Sequence, residues 1–279
     1  PMMGVDNYSP SDIADLVQSR GVAKAKASLL DTLVLSILAG AFIALGAVFA
    51  TVVGSQTSLG FGLTRLLMGV SFSLGLILVI VAGAELFTGN NLIVMSWAGR
   101  HISLWKLLRN WGLVYVGNLL GALSVVVMVY YAGWWEQDGH QVGVSAVAIA
   151  NGKVNLSFEA ALMRGILANA LVCLAVWLAA AGRSLIDKAL AVVFPVTAFV
   201  AAGFEHSIAN MYFIPLGLLL RDNADVLQAA GPLSGQLSRL TFPWLVHNLA
   251  AVTLGNILGG GVLVGLVYWF IYLRNPGRS

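Results

Sequence analysis

Two nine-residue stretches hold most of the polar chemistry that this chain places inside apolar sequence. Ala82-Gly83-Ala84-Glu85-Leu86-Phe87-Thr88-Gly89-Asn90 and Ala202-Gly203-Phe204-Glu205-His206-Ser207-Ile208-Ala209-Asn210 both read Ala-Gly-x-Glu-x-x-x-x-Asn. Glu85, Glu205 and His206 are the ionisable groups deepest in apolar sequence. At membrane depth such a group costs at least about 2.5–3.5 kcal/mol, so it is paired or functional. Each glutamate sits at a helix break, with Gly83 or Gly203 before it and Asn90 or Asn210 after it. There a carboxylate can accept N–H groups orphaned at the start of the half-helix beyond, a structural role preferred to a proton relay. His206 differs, because its counterpart in the first stretch is Leu86. An imidazole titrates near pH 6.5 when unperturbed, so it offers a small anion a positive site when protonated and little charge when neutral. Thr88, in the opposite stretch, can hydrogen-bond His206 and set its tautomer.

Other residues suit a narrow passage. Phe72 and Leu76 are four apart on one face leading into the first break, Phe199 precedes His206 by seven, and Phe87 lies inside the first break. These side chains either pack in the core or narrow a route that stops hydrated ions and passes a small dehydrated or neutral solute. Asn169 and Asn256 are deep amides that line such a route or tie helices together. Cys173 is the one cysteine, which excludes an internal disulfide and a thiolate cluster. Ser207 follows His206 but has no partner acid and no flanking glycines, and a lone histidine lacks metal co-ligands. No enzyme activity, metal or cofactor is expected.

These residues need elements to hold them, and composition says which. Of 279 residues, 59% are hydrophobic and 10% are charged, against about 25% charged in a soluble domain. Mean hydropathy is +0.87 and the isoelectric point about 9.2, but the net charge is only +3 with no basic stripe, so nucleic acid is not a partner. A spanning helix needs roughly 20 apolar residues. Candidate spans cover about 29–53, 66–97, 107–134, 158–181, 189–220 and 242–273. The 31 glycines fall largely within them, where small residues let helices approach closely. Ten of the fifteen bases fall on the side of the two ends, and Arg65, Lys153, Arg164, Arg221 and Arg239 fall on the other. The positive-inside rule then makes both termini cytoplasmic.

Internal symmetry follows. Besides the paired breaks, Gly117-Asn118-Leu119-Leu120-Gly121 in the third span matches Gly255-Asn256-Ile257-Leu258-Gly259 in the sixth. Spans one to three (about 29–134) repeat as four to six (about 158–273), and an odd number per unit inserts the second copy upside down. Inverted repeats with discontinuous helices place a solute pathway at their interface. Residues 1–28 form an amphipathic cytoplasmic segment, with Ser9 as N-cap, Pro10 at the first helical position and Asp12 closing a capping box. It lies on the membrane surface or against the pore mouth. No apolar core behind a basic leader marks a cleavable signal peptide there. Residues 29–273 form one channel domain, and 274–279 a cytoplasmic tail.

Glu85-Leu86-Phe87-Thr88-Gly89, Gly203–Met211 and Gly255-Asn256-Ile257-Leu258-Gly259-Gly260-Gly261 resemble the signatures of the formate–nitrite transporter family. Gly182–Lys188 and the stretch from Gly265 to Arg274 resemble its formate-channel branch, and the likeness runs over about residues 6–274. The resemblance implies an all-α polytopic membrane protein, an aquaporin-like six-helix protomer with broken second and fifth helices, in a homopentamer with one pore per protomer. It makes His206 and Thr88 the central pair. It assigns Leu76, Phe199, Leu86, Phe87 and Val172 to constrictions, and Glu205, Asn169 and Lys153 to the electrostatics of the approach. It associates residues 10–28 with gating. It implies formate and related small monovalent anions as substrate, with export and pH-dependent re-import across a bacterial inner membrane. Nitrite or another small anion, and a neutral solute or water, are the alternatives.

Overall fold

The computed structural model describes residues 8–55 and 58–274, so residues 275–279 of the expected tail lie outside the described residues. All of the regular structure described is helical. Ser9 and Asp12 close the capping box of α1 (Pro10–Lys26). The spans begin with α2 (Leu29–Gly54) and α3 (Phe61–Ile77), which runs on in wider, i→i+5 bonded turns to Gly83. Beyond an extended 84–86 stretch come the short helices α4 (Phe87–Asn90) and α5 (Val94–Ala98). The third span is α6 (Leu104–Tyr131), and α7 (Gln141–Val154) precedes the fourth, α8 (Phe158–Ala181). The fifth is split into α9 (Leu185–Ala202) and α10 (Ser207–Leu220), and a short α11 (Ala224–Ala230) precedes α12 (Phe242–Asn256). From Ile257 to Leu273 the sixth span continues mostly in wider turns.

Among the described residues, six helices are long and apolar enough to cross a membrane. Three begin earlier than composition suggested, the second at Phe61, the third at Leu104 and the fifth at Leu185. Gly60, at φ +77, starts the second, and Ser184 with Asp187 caps the fifth in a capping box. These starts are set by local cap residues and not by hydropathy, so composition alone misplaced them.

Both breaks are built alike. Gly83 (φ +90) and Gly203 (φ +73) occupy the left-handed region, where a side chain is strained, and each turns the chain into three extended residues. The matched glycine motifs also do matched work. A Cβ on Gly121 would run into the Ile37 carbonyl of α2, and one on Gly259 into the Ile166 carbonyl of α8. Only glycine lets these backbones touch.

The helices that precede the repeats expected at about 29–134 and 158–273 are matched too. α1 and α7 are also counterparts, because each delivers a lysine to the glutamate of one break, Lys24 to Glu85 and Lys153 to Glu205. The loop holding α7 carried no legible signal, yet it folds into a helix packed on α10. α1 packs Ile13, Ala14 and Val17 against Leu92, Met95 and Trp177, with Tyr268 and Trp269 alongside, so the two described chain ends meet on one side. Gln18 Nε2 donates to the Met95 carbonyl at 3.2 Å, and the Ser96 hydroxyl donates to the Gln18 carbonyl at 2.7 Å.

Candidate functional site

A broken helix leaves N–H and C=O groups that cannot face hydrocarbon unpaired. Here asparagines pair them. Asn118 Nδ2 donates to the carbonyls of Ser36 (2.7 Å) and Glu85 (2.9 Å), and its Oδ1 accepts the Phe87 N–H at 2.9 Å. Asn256 repeats this with Gly165 (2.8 Å), Glu205 (3.1 Å) and the Ser207 N–H (2.9 Å). The glutamates therefore do not take the orphan amides expected of them. Asn256 ties helices together and does not line a route.

Each carboxylate instead bridges a lysine and an asparagine. Glu205 meets Lys153 at 2.9 Å and accepts from Asn210 Nδ2 at 2.6 Å. Asn210 also donates to Asn248 Oδ1, and Asn248 to the Lys153 carbonyl, at 2.8 and 3.0 Å. Across the pseudo-symmetry Glu85 meets Lys24 at 3.2 Å and accepts from Asn90 Nδ2 at 2.6 Å, while Asn90 donates to Asn110 Oδ1 at 3.0 Å. Sequence reasoning missed Lys24, Asn110 and Asn248. The equal spacing of Asn110 from Asn118 and of Asn248 from Asn256 was the signal that could have found the amides.

Between the networks lies His206, which caps α10. Its Nδ1 accepts the Ala209 N–H at 3.1 Å. The neutral ring must then carry its proton on Nε2, which meets the Thr88 hydroxyl at 2.9 Å. That network assigns the tautomer. Asn169 Nδ2 lies near the carbonyls of Thr88 and Asn256 and near Asn91 Oδ1, at 3.2, 2.7 and 2.8 Å, and Cys173 donates weakly to the Thr88 carbonyl. Asn169 is fully buried and joins the two breaks. Phe199 stacks on the His206 ring with centroids 5.9 Å apart. Phe72 meets Phe199 edge-on at 5.8 Å and stacks on Phe213 at 6.4 Å.

Two cavities approach this pair from opposite sides. The far cavity, about 490 Å³, is lined by Arg65, Phe72, Lys153, Arg164, Phe199, Gly203, Glu205, His206 and Phe213. The near cavity, about 540 Å³ on the side of α1, is lined by Lys24, Leu76, Gly83, Glu85, Leu86, Asn90 and Lys188. His206 and Thr88 are buried between them, at 2% and 0% exposure, so the neck is closed. Leu76 and Leu86 face the near side and Phe72 and Phe199 the far side. Phe87 packs against Trp111 and Tyr115, and it and Val172 line neither cavity. Phe213 and the two arginines went unrecognised; Phe213 lies seven beyond His206. Among the described residues no cluster of histidine, cysteine or acids could hold a metal.

Residues 11–270 match the family model described as formate/nitrite transporter. The chain belongs to that family. It is a family of transporters and channels, not enzymes, and this member is a multi-pass membrane protein. It is 46% identical over 273 residues to the formate channel FocA of Escherichia coli K12, covering 96% of each chain. It is 40% identical to a probable formate transporter of Methanothermobacter thermautotrophicus, over 98% of this chain and 100% of the other. Among solved structures it is similar to a pentameric formate channel with formate bound, at a TM-score of 0.82 and 42% identity, covering 88% and 98% of the two chains. An FNT family ion channel matches at a TM-score of 0.78 and 29% identity, covering 93% and 98%.

Proposed function

We propose that this protein is a channel for formate and related small monovalent carboxylates. The observation that carries this reading is the His206–Thr88 contact, closed between two cavities that each hold a lysine. Lys153 or Lys24, each shared with a glutamate, orients the carboxylate as it enters. A bare anion does not cross the aromatic and leucine neck cheaply, because desolvating it is costly. When the His206 ring carries a second proton, on Nδ1 in place of the Ala209 N–H bond, it passes its Nε2 proton to a carboxylate oxygen and is left as the neutral Nδ1–H ring. The neutral acid then crosses, loses its proton to water beyond, and the ring is recharged from solvent. Thr88 holds Nε2 in line with the neck.

Five protomers assemble in this reading, in a bacterial inner membrane with both termini cytoplasmic, so the near cavity faces the cytoplasm. Residues 29–273 form the channel domain and α1 covers its cytoplasmic mouth. The test is formate uptake by proteoliposomes across a pH series, with wild type, His206→Asn and His206→Phe. Acid outside is expected to favour import in wild type, and the variants to lose that dependence. An unchanged dependence overturns the proton-donor role. Competition by nitrite decides between anions, and glycerol-driven shrinkage without formate flux would mark a neutral-solute channel.

A further inference from the structure

We propose that Arg65 and Arg164 form an anion-docking site at the far mouth, ahead of the neck, for a small planar carboxylate. The inference rests on the carboxylate-channel reading and adds a second binding step to it. Arg65 reaches from α3 and Arg164 from α8 to the same short segment of the second break. Arg65 Nε donates to the Ala201 carbonyl at 3.2 Å, and Arg164 Nη1 to the Gly203 carbonyl at 3.3 Å. A guanidinium has five N–H donors in a planar fork, so most of each fork remains for a ligand. Both side chains line the far cavity.

Charge counting in that cavity points the same way. Its lining holds Arg65, Lys153 and Arg164 against a single acid, Glu205, and Glu205 is already committed to Lys153 and Asn210. Two positive charges are left over. They flank Gly203: a Cβ there would lie 3.0 Å from Arg65 Nη2 and 4.0 Å from Arg164 Nη1. The two forks are thus close enough to share one carboxylate, which guanidinium geometry suits.

The internal symmetry argues against a purely structural role. The Arg164 carbonyl accepts the Glu205 N–H, and in the other repeat the Leu35 carbonyl accepts the Glu85 N–H, each at 3.2 Å. Leu35 therefore stands where Arg164 stands. Leu185 precedes Gly203 by the same number of residues as Arg65 precedes Gly83. The first break forms with leucine in place of Arg164, so the fold of a break does not require that guanidinium. Like His206, which answers to Leu86, these arginines break the symmetry on the solute route. The rival role is a cap on the last carbonyls of α9.

The experiment compares wild type with Arg65→Gln, Arg164→Gln and the double variant, since a glutamine amide keeps a donor for the carbonyl and removes the charge. Formate uptake by proteoliposomes is measured against formate concentration. Benzoate, a carboxylate too wide for the neck, is titrated as a blocker and by calorimetry. The expected result is a half-saturating formate concentration raised roughly three- to tenfold, as for one lost charge-assisted hydrogen bond, with benzoate binding weakened in step. Arg164→Lys should recover part of both. Unchanged half-saturation and benzoate affinity, with or without a lower maximal flux or melting temperature, overturns the docking site and leaves the cap. Wild type that moves no formate overturns the channel reading instead, and the calorimetric comparison still decides the docking site.

Discussion

His206 Nε2 meets the Thr88 hydroxyl at 2.9 Å, a hydrogen bond that joins the two breaks directly. The other ring nitrogen is spent on the Ala209 amide, which fixes the ring against the start of α10. The imidazole is thereby held at both nitrogens, one by its own helix and one by the opposite repeat. In the proposed channel, solute passes a group that also joins the two halves.

Thr88→Val keeps the shape of the side chain and removes its hydroxyl. The buried Nε2–H then lacks an acceptor, a deficit of about 1–3 kcal/mol. Formate uptake by the reconstituted variant is expected to fall about tenfold, since 1.4 kcal/mol is a factor of ten. Thr88→Ser should keep most of the flux. A loss in Thr88→Ser with little loss in Thr88→Val would show that the methyl group, not the hydroxyl, matters.

The two lysine–glutamate pairs are alike in geometry and unlike in burial. Side-chain exposure is 14% and 5% for Lys153 and Glu205, against 36% and 13% for Lys24 and Glu85. Glu205→Gln leaves a buried ammonium unpaired, at a cost of about 3–5 kcal/mol. After Glu85→Gln, water still reaches Lys24, and exposed pairs are worth about 0–1 kcal/mol. Thermal unfolding in detergent should drop clearly more for Glu205→Gln.

Gly259→Ala pushes a methyl group into the Ile166 carbonyl, and Gly121→Ala into the Ile37 carbonyl. Overpacking of this kind costs about 1–3 kcal/mol. Gly112, also in α6, has nothing within 4 Å of a Cβ, so Gly112→Ala is the control. Melting curves of the three variants should separate the first two from the third.

Acid should loosen the start of α1. The Asp12 carboxylate accepts the Ser9 hydroxyl at 2.6 Å and the Ser9 N–H at 3.1 Å, which holds it below the usual carboxylate range. A lowered folded value means its contribution is complete above the ordinary value and lost as pH falls through the lowered one. Amide exchange in the first turn of α1 is expected to accelerate below about pH 4. Asp12→Asn, which cannot titrate, should abolish that step.

The architecture was legible because it is repeated. One Ala-Gly-x-Glu-x-x-x-x-Asn motif is ambiguous, but a second copy with a matching Gly-Asn-x-x-Gly downstream defines an inverted pair. His206 stood out by the same logic, as a departure from symmetry at Leu86. The asparagine–lysine networks were not legible, since Lys24 and Lys153 lie far in sequence from the carboxylates they meet. Hydropathy also treated Arg65 and Arg164 as markers of topology at span ends. In the fold both sit inside helices and line the far cavity. Phe87 differs the other way, because a place inside the break says nothing of which face points to a cavity.

Phe72 lines the far cavity and Leu76 the near one, one helical turn apart, a rise of about 6 Å. The insulating part of the protein is then a thin septum, with a recess open to each face. With water in both recesses, most of a transmembrane voltage would fall across that septum. Moving one elementary charge through it involves about 2.3 kcal/mol per 100 mV, whereas a neutral acid involves none. Current recorded under voltage thus reports the charge of whatever crosses, independently of any assay of its identity.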